Sequence, residues 1–509
     1  MVYPFDLPTT SHISFQTFLS SRTHPSLPQS ATTARHAFRL TLKAHNRLPR
    51  GPQRDFHLTS VLSALNDYLP YLVALAQGLN GAPIDAPYAP SIIEGEEIEV
   101  TQRTDFEPEW RAPLASSTLS LKSSRPSTTA RTRGPGIPYE LAFTLSTLGF
   151  VLCSLARSGV TRTLYASSTP SAEQRTAAVQ TSTKYLLQAS TVHALVSSSP
   201  YLTTGLESAV AVAPDLAPTT QVALSSLALG EATLLAVLKD DSYVVACIQA
   251  RNPNDKDWMV RAPEIPKVRA HLFARLCIRA AEYVEQAGSG LGSVGVVGRR
   301  AGINEDLIKY ARVLGLVARA RACRFFGVDA ELAGKIGEGI AWLRAAKGAL
   351  GLRNMSSMEK PTTKSRGLSK LKQGFRDRRE ERKMEKGAGG ERLEKGELGP
   401  GDSAGREEEG RVIEMLETKW ARMNDTINTQ VIPPSTDYLT NLPSGRDILP
   451  PQPPYKLPVL DSELLARMRA PPAEVELGPG SDLDDSDVES PPRGDTPGAF
   501  PERTDSAYY

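Results

Sequence analysis

One pattern constrains the fold more than any other: between about Leu58 and Leu352, apolar residues recur three and four positions apart. That spacing places them on one face of a helix, whereas a half-buried strand needs strict alternation. The pattern predicts helices over 139–158, 171–197, 217–239, 263–287, 303–326 and 329–350. Strand-like segments are scarce, and the clearest are Glu97–Thr101 and a second near Ile13–Phe15. The sequence therefore predicts an all-α protein with a small N-terminal β element.

Small residues recur along these helices, and one helix carries five of them, at Ala311, Gly315, Ala318, Ala320 and Ala322. Small side chains let neighbouring helices approach closely, as antiparallel hairpins do in a solenoid. No clean repeat of about 34 residues is present, so tetratricopeptide-like stacking would be degenerate. The predicted architecture is a curved, tetratricopeptide-like helical solenoid.

The character of the chain changes after Leu352. Residues 360–386 carry 11 Lys and Arg and 4 Asp and Glu, and residues 387–410 carry eight glycines. Neither segment supplies a core, which predicts a disordered linker or insertion. A helical pattern returns at 411–430, and the last 40 residues hold ten acids and seven prolines. The C-terminal tail is therefore predicted to be disordered.

Charge and cysteine content exclude several protein classes. The chain has 59 Lys and Arg against 57 Asp and Glu, without the one-sided charge of a dedicated nucleic-acid binder. Its four cysteines lie far apart, which argues against a disulfide scaffold or a zinc site and favours a reducing intracellular compartment.

Leu141–Ala156 is the most apolar stretch, but its 16 uncharged residues fall short of the ~20 that a spanning helix needs. The start of the chain lacks a signal-peptide pattern. We expect no transmembrane segment.

One glycine motif has two interpretations. Residues 290–295 read GLGSVG and match GxGxxG. Dinucleotide binding needs a strand before the glycines and an acid about 20 residues after them. Here a helical pattern precedes them and Gly315 stands near the place of the acid. A flexible helix–helix loop is the favoured interpretation, and a cofactor-dependent enzyme using Gly290 is the alternative.

No other sequence pattern brings together the residue types that catalysis needs. His193 and His271 lie within helical patterns, where a structural role is expected, and Cys153 and Cys247 have apolar neighbours typical of buried thiols. No nucleophile stands with a base, so we expect no enzyme, no cofactor and no metal.

The basic segment 360–386 could bind phosphates or acidic lipid, but it also carries acids and lacks aromatic residues for stacking bases. A solvated linker is favoured, and we expect no nucleic-acid partner.

A series of short segments, in a fixed order, resembles one known family. The segments are FDLPTT at 5–10, LYASSTP at 164–170, KYLLQA at 184–189, PDL at 214–216 and ALSSLALGEA at 223–232. This order resembles the BRO-domain family, which includes Alix, and most of all its fungal pH-response members. The similarity covers about residues 1–455 and is most specific over 161–240.

The resemblance also accounts for the helix that returns after the charged segment. The stretch from Asn424 to Ile427 and Pro433 is similar to a late Asn-x-x-Ile segment of the family. It implies a single BRO domain over 1–455, with 353–410 as a disordered insertion and 456–509 as a disordered Pro-rich and acidic tail. One departure is the stretch 230–233, Gly-Glu-Ala-Thr, where the family's helix often carries an Ala-Gln pair.

The family resemblance implies a function. BRO domains dock the C-terminal helix of the Snf-type ESCRT-III subunit, and about 55 residues after position 455 are too few for the domain that reads Tyr-Pro peptides. The implied function is a non-enzymatic adaptor of alkaline-pH signalling that promotes proteolytic activation of a PacC-type transcription factor. Further implied partners are arrestin-like and calpain-like components. The implied location is cytoplasmic, with recruitment to endosomes or cortical plasma-membrane sites by peripheral association. The alternative is a general endosomal sorting adaptor.

The resemblance places the partner site on and before the helix predicted at 217–239. Leu224 is the first candidate, with Leu206 and Val222 nearby in the family's arrangement. That helix is apolar around most of its circumference, so it is either buried on all sides or exposes an apolar strip to a partner helix.

Overall fold

The computed structural model describes residues 2–80, 98–115, 131–166, 170–203, 213–249, 267–294, 302–352 and 404–471. Met1–Arg469 form one compact unit, and Ala470–Tyr509 form a second, of which only residues 470 and 471 are described. Most of the predicted insertion at 353–410, and most of the predicted tail at 456–509, therefore lie outside the described residues. The first unit reaches past residue 455 because Leu457, Leu460, Leu465 and Met468 are buried in it.

The all-α prediction is confirmed, because helices account for most of the described chain. The described helices are α1 (Leu27–Arg47), α2 (Pro52–Asn80), α3 (Gly136–Leu164), α4 (Ala172–Ser198), α5 (Pro200–Thr203), α6 (Pro218–Leu238), α7 (Ser242–Gln249), α8 (Lys267–Ser293), α9 (Glu305–Leu332), α10 (Ile336–Ala349), α11 (Arg406–Met423), α12 (Thr436–Thr440) and α13 (Ser462–Met468). A π-helical turn, Asn424–Asn428, follows α11, and 3-10 turns lie at Phe15–Thr17 and Pro214–Leu216.

Local sequence signals set several helix ends. Ser171 precedes α4 and closes a capping box: its hydroxyl accepts from the Gln174 backbone at 3.1 Å, and the Gln174 side chain accepts from the Ser171 backbone at 3.0 Å. Asn304 caps α9 in a similar way, with its side chain accepting from the Asp306 backbone. These contacts satisfy backbone groups that a helix start otherwise leaves without partners.

The long helices pack in the order in which they occur in the chain. Each of α1, α2, α3, α4, α6, α8, α9, α10 and α11 contacts the next in that list. Two of them, α3 and α6, are long and apolar enough to cross a membrane, but 94% and 78% of their most apolar windows are buried inside the protein. They are therefore core helices, α3 almost entirely and α6 over most of its surface.

The N-terminal β element consists of two small antiparallel sheets. Strands β1 (Thr9–Thr10), β4 (Glu109–Arg111) and β5 (Arg131–Arg133) form one sheet in the order β1-β4-β5, and β2 (Leu19–Ser21) pairs with β3 (Val100–Gln102) in the other. The strand predicted at Glu97–Thr101 overlaps β3, although Glu97 itself lies outside the described residues.

The strand predicted near Ile13–Phe15 is wrong. Phe15 instead begins a 3-10 turn, and its backbone N–H donates to the Thr32 hydroxyl of α1 at 2.9 Å rather than to a neighbouring strand. Its ring is fully buried. The alternation in the sequence reflects this single inward-facing aromatic residue, which anchors the turn on α1.

A buried ion pair ties the β element to the helices. Glu140 of α3 accepts from Arg35 of α1 at 2.8 Å, from the Trp110 indole of β4 at 2.7 Å and from the Tyr68 hydroxyl of α2 at 3.0 Å. All four side chains are buried. Because removing one partner would leave a charge buried without compensation, this cluster fixes the position of the sheet on the helices.

Candidate functional site

The predicted partner-binding residues have different surroundings. Leu206 lies outside the described residues. Val222 and Leu224 both lie on α6, but Val222 is 44% exposed whereas Leu224 is 2% exposed. Of these two, only Val222 is accessible to a partner without rearrangement. The site assignment itself stays a prediction.

Helix α6 lies between α4 and α8 and is held closely by both. The Ser225 hydroxyl donates to the Ser190 carbonyl of α4 at 3.0 Å. On the other side, a Cβ added at Gly230 would lie 2.5 Å from Cγ2 of Val284 in α8. Such close approach is what the small residues of the sequence predict. Four of the residues of α6 that are not buried form an outer stripe, which we define as the exposed Thr219 and Val222 and the half-buried Ser225 and Leu229.

A polar network fixes the beginning of α6. Gln221 accepts from Nδ1 of His193 at 2.7 Å, and its amide donates to the Ser146 hydroxyl at 3.0 Å and to the Asp215 carbonyl at 2.6 Å. Burial lowers the pKa of His193 to about 4, although the hydrogen bond to Gln221 opposes this. A neutral imidazole therefore joins α3, α4 and α6, which is the structural role expected for His193.

Asp215 and its surroundings complete this anchor. Its carboxylate accepts from the Leu114 backbone at 3.1 Å, and its other oxygen, Oδ1, has no partner among the described residues. Burial raises the pKa of Asp215 to about 7, with the backbone hydrogen bonds acting against the shift. The side chain therefore joins the end of the β element to the beginning of α6.

A second buried acid lies in the middle of α6. Oε1 of Glu231 accepts from the Tyr3 backbone at 2.9 Å and from the Tyr310 hydroxyl of α9 at 2.8 Å, while Oε2 has no partner in the described part of the chain. Burial raises the pKa of Glu231 to about 7, and the two hydrogen bonds oppose that shift. Glu231 thus binds the N-terminal segment to the helical core.

A buried cluster of two arginines and two acids joins helices on both sides of 353–403, a segment outside the described residues. Arg324 of α9 donates to Asp241 and to Glu409 of α11, and Arg321 donates to Glu409 at 2.9 Å. All four side chains are fully buried. The two arginines hold the pKa of Glu409 below its usual value in spite of its burial. Helix α11 is therefore an integral part of the core.

The chain after α11 crosses several helices as a C-terminal strap, which we define as residues 430–460. Tyr438 packs on Trp342 of α10 with ring centroids 4.5 Å apart. Further on, Asp447 accepts from Arg279 of α8 at 3.0 Å, and the Gly445 backbone donates to Glu282 at 3.2 Å. The strap thus lies on α10 and then on α8.

Residues 452–456 of the strap lie against α4. A shallow cavity of about 350 Å³ opens there, lined by Lys184, Leu187, Gln188, Thr191 and strap residues 452–456. Thr191 follows Ser190, the residue that is hydrogen bonded to Ser225 of the stripe. The strap and α4 therefore form the two walls of this cavity.

The glycine motif is not the flexible loop predicted for it. Gly290 and Gly292 lie inside α8, which continues to Ser293, and Gly295 lies outside the described residues. A Cβ at Gly290 would lie 3.1 Å from the Cβ of Ala223, so this glycine allows α8 to contact α6 closely. The helical context before the motif lacks the strand that dinucleotide binding requires.

The cysteines, and the groupings of possible metal ligands, show what chemistry the described side chains offer. No group of three or more His, Cys, Asp or Glu side chains that could hold a metal occurs among the described residues. The four cysteines are buried, and burial raises the pKa of Cys277 to about 12 and that of Cys247 to about 11. Such thiols are not the low-pKa nucleophiles that cysteine chemistry uses.

Sequence reasoning missed the buried charged groups and the strap. A signal for these groups exists: Glu140, Glu231, Arg321 and Arg324 are charged residues inside otherwise apolar helical patterns. A charge in such a position is buried with a partner or lies at a functional surface. The partners could not be identified, because they lie up to 228 positions away in the sequence.

The chain is similar to a curated fungal regulator and to solved BRO1 domains. No protein-family model matches the chain. The pH-response regulator protein palC of Emericella nidulans is 76% identical over 514 aligned positions that cover 100% of both chains. Among solved structures, the ALIX BRO1 domain in a complex with CHMP4C is 13% identical with a TM-score of 0.47, covering 91% of this chain and 96% of that one. A Bro1 domain described for endosomal targeting is also 13% identical, with a TM-score of 0.45 and coverage of 92% and 95%.

Proposed function

The chain belongs to the family of the pH-response regulator protein palC, and from that premise we propose that it is a non-enzymatic adaptor of alkaline-pH signalling. The observation that carries the proposal is 76% identity over the full length of both chains. An adaptor acts through surfaces rather than through a nucleophile and a base. The charged side chains of the core fit this role, since they join helices to one another.

The proposed partner is the C-terminal helix of a Snf-type ESCRT-III subunit. An amphipathic partner helix needs an apolar strip flanked by polar groups. The outer stripe of α6 offers the apolar residues Val222 and Leu229, with Thr219 and Ser225 as its polar members. Val222, rather than Leu224, is the apolar residue that such a helix can reach.

A binding assay with two matched variants tests the site. Fluorescence polarisation with a labelled Snf-type C-terminal peptide should give weaker binding for Val222→Asp, by about tenfold or more, with unchanged circular dichroism. Leu316→Asp is the control, because Leu316 on α9 is 40% exposed, close to the 44% of Val222. Its affinity should equal that of the wild type. Equal loss in both variants, or no loss in either, contradicts a site at Val222.

Leu224→Asp should behave differently from either variant. It places a charge in the core beside α4 and α8, which is costly without a partner, so loss of helicity is expected. A folded Leu224→Asp protein that has lost peptide binding would restore Leu224 to the partner site.

The proposed consequence of docking is proteolytic activation of a PacC-type transcription factor. The adaptor would bring ESCRT-III to arrestin-like and calpain-like components, moving from the cytoplasm to endosomes or to cortical sites. Cells without the protein should grow at acidic pH and fail at alkaline pH, and a pre-truncated factor should restore growth. Normal alkaline growth combined with defective multivesicular-body sorting would refute this role and favour a general sorting adaptor.

A further inference from the structure

A long stretch near the beginning of the chain contains no acidic residue. Between Asp6 and Asp55, seven Lys and Arg and four His occur without a single Asp or Glu. The whole chain carries 59 basic and 57 acidic residues, so this bias is local. Helix α1 lies entirely inside the stretch, and every charge that α1 carries is positive.

The basic residues of α1 form an ordered face. His36, Leu40, Lys43 and Arg47 are spaced by four, three and four positions, which places them along one side of a helix for about 16 Å. His36 and Arg47 are exposed, and Lys43 is half-buried. Leu40, in the middle of this row, is 50% exposed. The opposite side of α1 packs into the core through Ala31, Phe38 and Leu42.

Part of the positive charge in this region is already neutralised by carboxylates. Arg35 is buried against Glu140, and Arg50 and Arg54 lie 3.5 and 3.2 Å from Asp6. By contrast, Arg22, Lys43 and Arg47 form no ion pair within the described chain. Arg39 beside the row donates to the Thr10 carbonyl, which leaves its charge uncompensated. The helix dipole favours a cation in the last turn, at Arg47, but does not account for Arg39 or Lys43.

We propose that the outer face of α1, formed by His36, Leu40, Lys43 and Arg47, binds membranes that contain anionic phospholipids. A row of cations around an exposed leucine matches a lipid surface, where headgroup phosphates meet the cations and the acyl boundary accepts the apolar side chain. A nucleic-acid surface would need aromatic residues for stacking, and this face has His36 alone, whose ring lies 5.6 Å from that of His12. The surface lies on α1, far along the chain from Val222, so the proposal does not depend on ESCRT-III docking.

Vesicle co-sedimentation of the full-length protein tests the proposal. Vesicles of phosphatidylcholine with 30% phosphatidylserine should bind the wild type, and pure phosphatidylcholine should not. Lys43→Glu/Arg47→Glu should weaken binding by at least about tenfold, since each cation near a membrane surface contributes substantially to affinity. Leu40→Ser should weaken it several-fold at unchanged charge. Raising the salt from 0.1 to 0.5 M should reduce wild-type binding.

The matched control is Arg312→Glu/Lys419→Glu, which reverses one exposed Arg and one exposed Lys elsewhere and gives the same change in net charge. It should bind vesicles as the wild type does. Equal loss in both double variants would reduce the effect to net charge and overturn the proposal. So would unchanged binding by Lys43→Glu/Arg47→Glu, which would place the lipid contact elsewhere, for example at 360–386.

Binding of a hexaglutamate peptide that depends on Lys43 and Arg47 but not on Leu40, without binding to vesicles, would assign the face to an acidic protein partner instead. Circular dichroism should be unchanged in every variant, which shows that each is folded.

Discussion

The buried carboxylate of Glu231 should make the stability of the protein depend on pH in a defined window. Its pKa is raised from 4.5 to about 7 in the folded protein, so the folded state holds a proton that the unfolded state releases above pH 4.5. The stabilising effect is complete below pH 4.5 and is lost as the pH rises to about 7. A shift of this size corresponds to about 3 kcal/mol between pH 4.5 and pH 8.

Glu231→Gln isolates this effect. A glutamine keeps an oxygen that accepts from the Tyr3 backbone and the Tyr310 hydroxyl, but it cannot ionise. Near pH 5 the variant and the wild type should therefore unfold at similar urea concentrations. At pH 8 the variant should be more stable by about 3 kcal/mol, because only the wild type carries a buried negative charge.

The comparison with the variant is needed because other buried groups titrate in the same range. The raised pKa of Asp215 acts in the same direction as that of Glu231. Burial lowers the pKa values of His45 and His193 to about 4, so their contributions are lost as the pH falls through the range from 6.5 to 4. These effects are common to wild type and variant and cancel in the difference. Urea unfolding followed by circular dichroism at pH 5, 6, 7 and 8 measures it, with Glu305→Gln, an exposed acid on α9, as control. A difference that stays constant across these pH values would refute the reasoning.

Three further perturbations have definite expected outcomes. Deleting 360–403 should leave helicity and melting temperature nearly unchanged, because the entropy of loop closure varies slowly with length, and a large drop in melting temperature would show that the segment contributes to the core. Glu409→Ala should destabilise the protein by about 3–5 kcal/mol in urea unfolding, because the buried charge of Arg324 loses a partner, and a loss below 1 kcal/mol would contradict that account. Gly445→Ala should release the strap from α8, because the new Cβ would lie 2.6 Å from the Arg279 backbone. Faster proteolysis within 444–456, at unchanged overall helicity, is the expected readout, and unchanged protection would count against it.

The sequence predicts the long helices well and the tertiary polar contacts poorly. The helix predicted at 171–197 is observed at Ala172–Ser198, because periodicity and a capping box act over neighbouring residues. The strand predicted near Ile13–Phe15 is wrong, since three residues carry too little pattern to distinguish a turn from a strand. The exposed Val222 and the buried Leu224, both predicted to bind the partner, are both apolar, and their exposure depends on how α4 and α8 pack around α6. A helix that is apolar on nearly every side does not reveal which side remains free.

The cluster that joins α9 to α11 also bears on how the chain folds during synthesis. Arg324 leaves the ribosome 85 residues before its partner Glu409, which at 5–20 residues per second means roughly 4 to 17 s. During that interval two arginines that end fully buried lack one of their carboxylates, so α9 cannot settle into its final packing. The earlier helices meanwhile expose the apolar surface that α10 and α11 later cover. The interval between the synthesis of α9 and that of α11 should therefore be the stage at which the nascent chain depends most on chaperones, and codons that slow translation between 324 and 409 should increase aggregation.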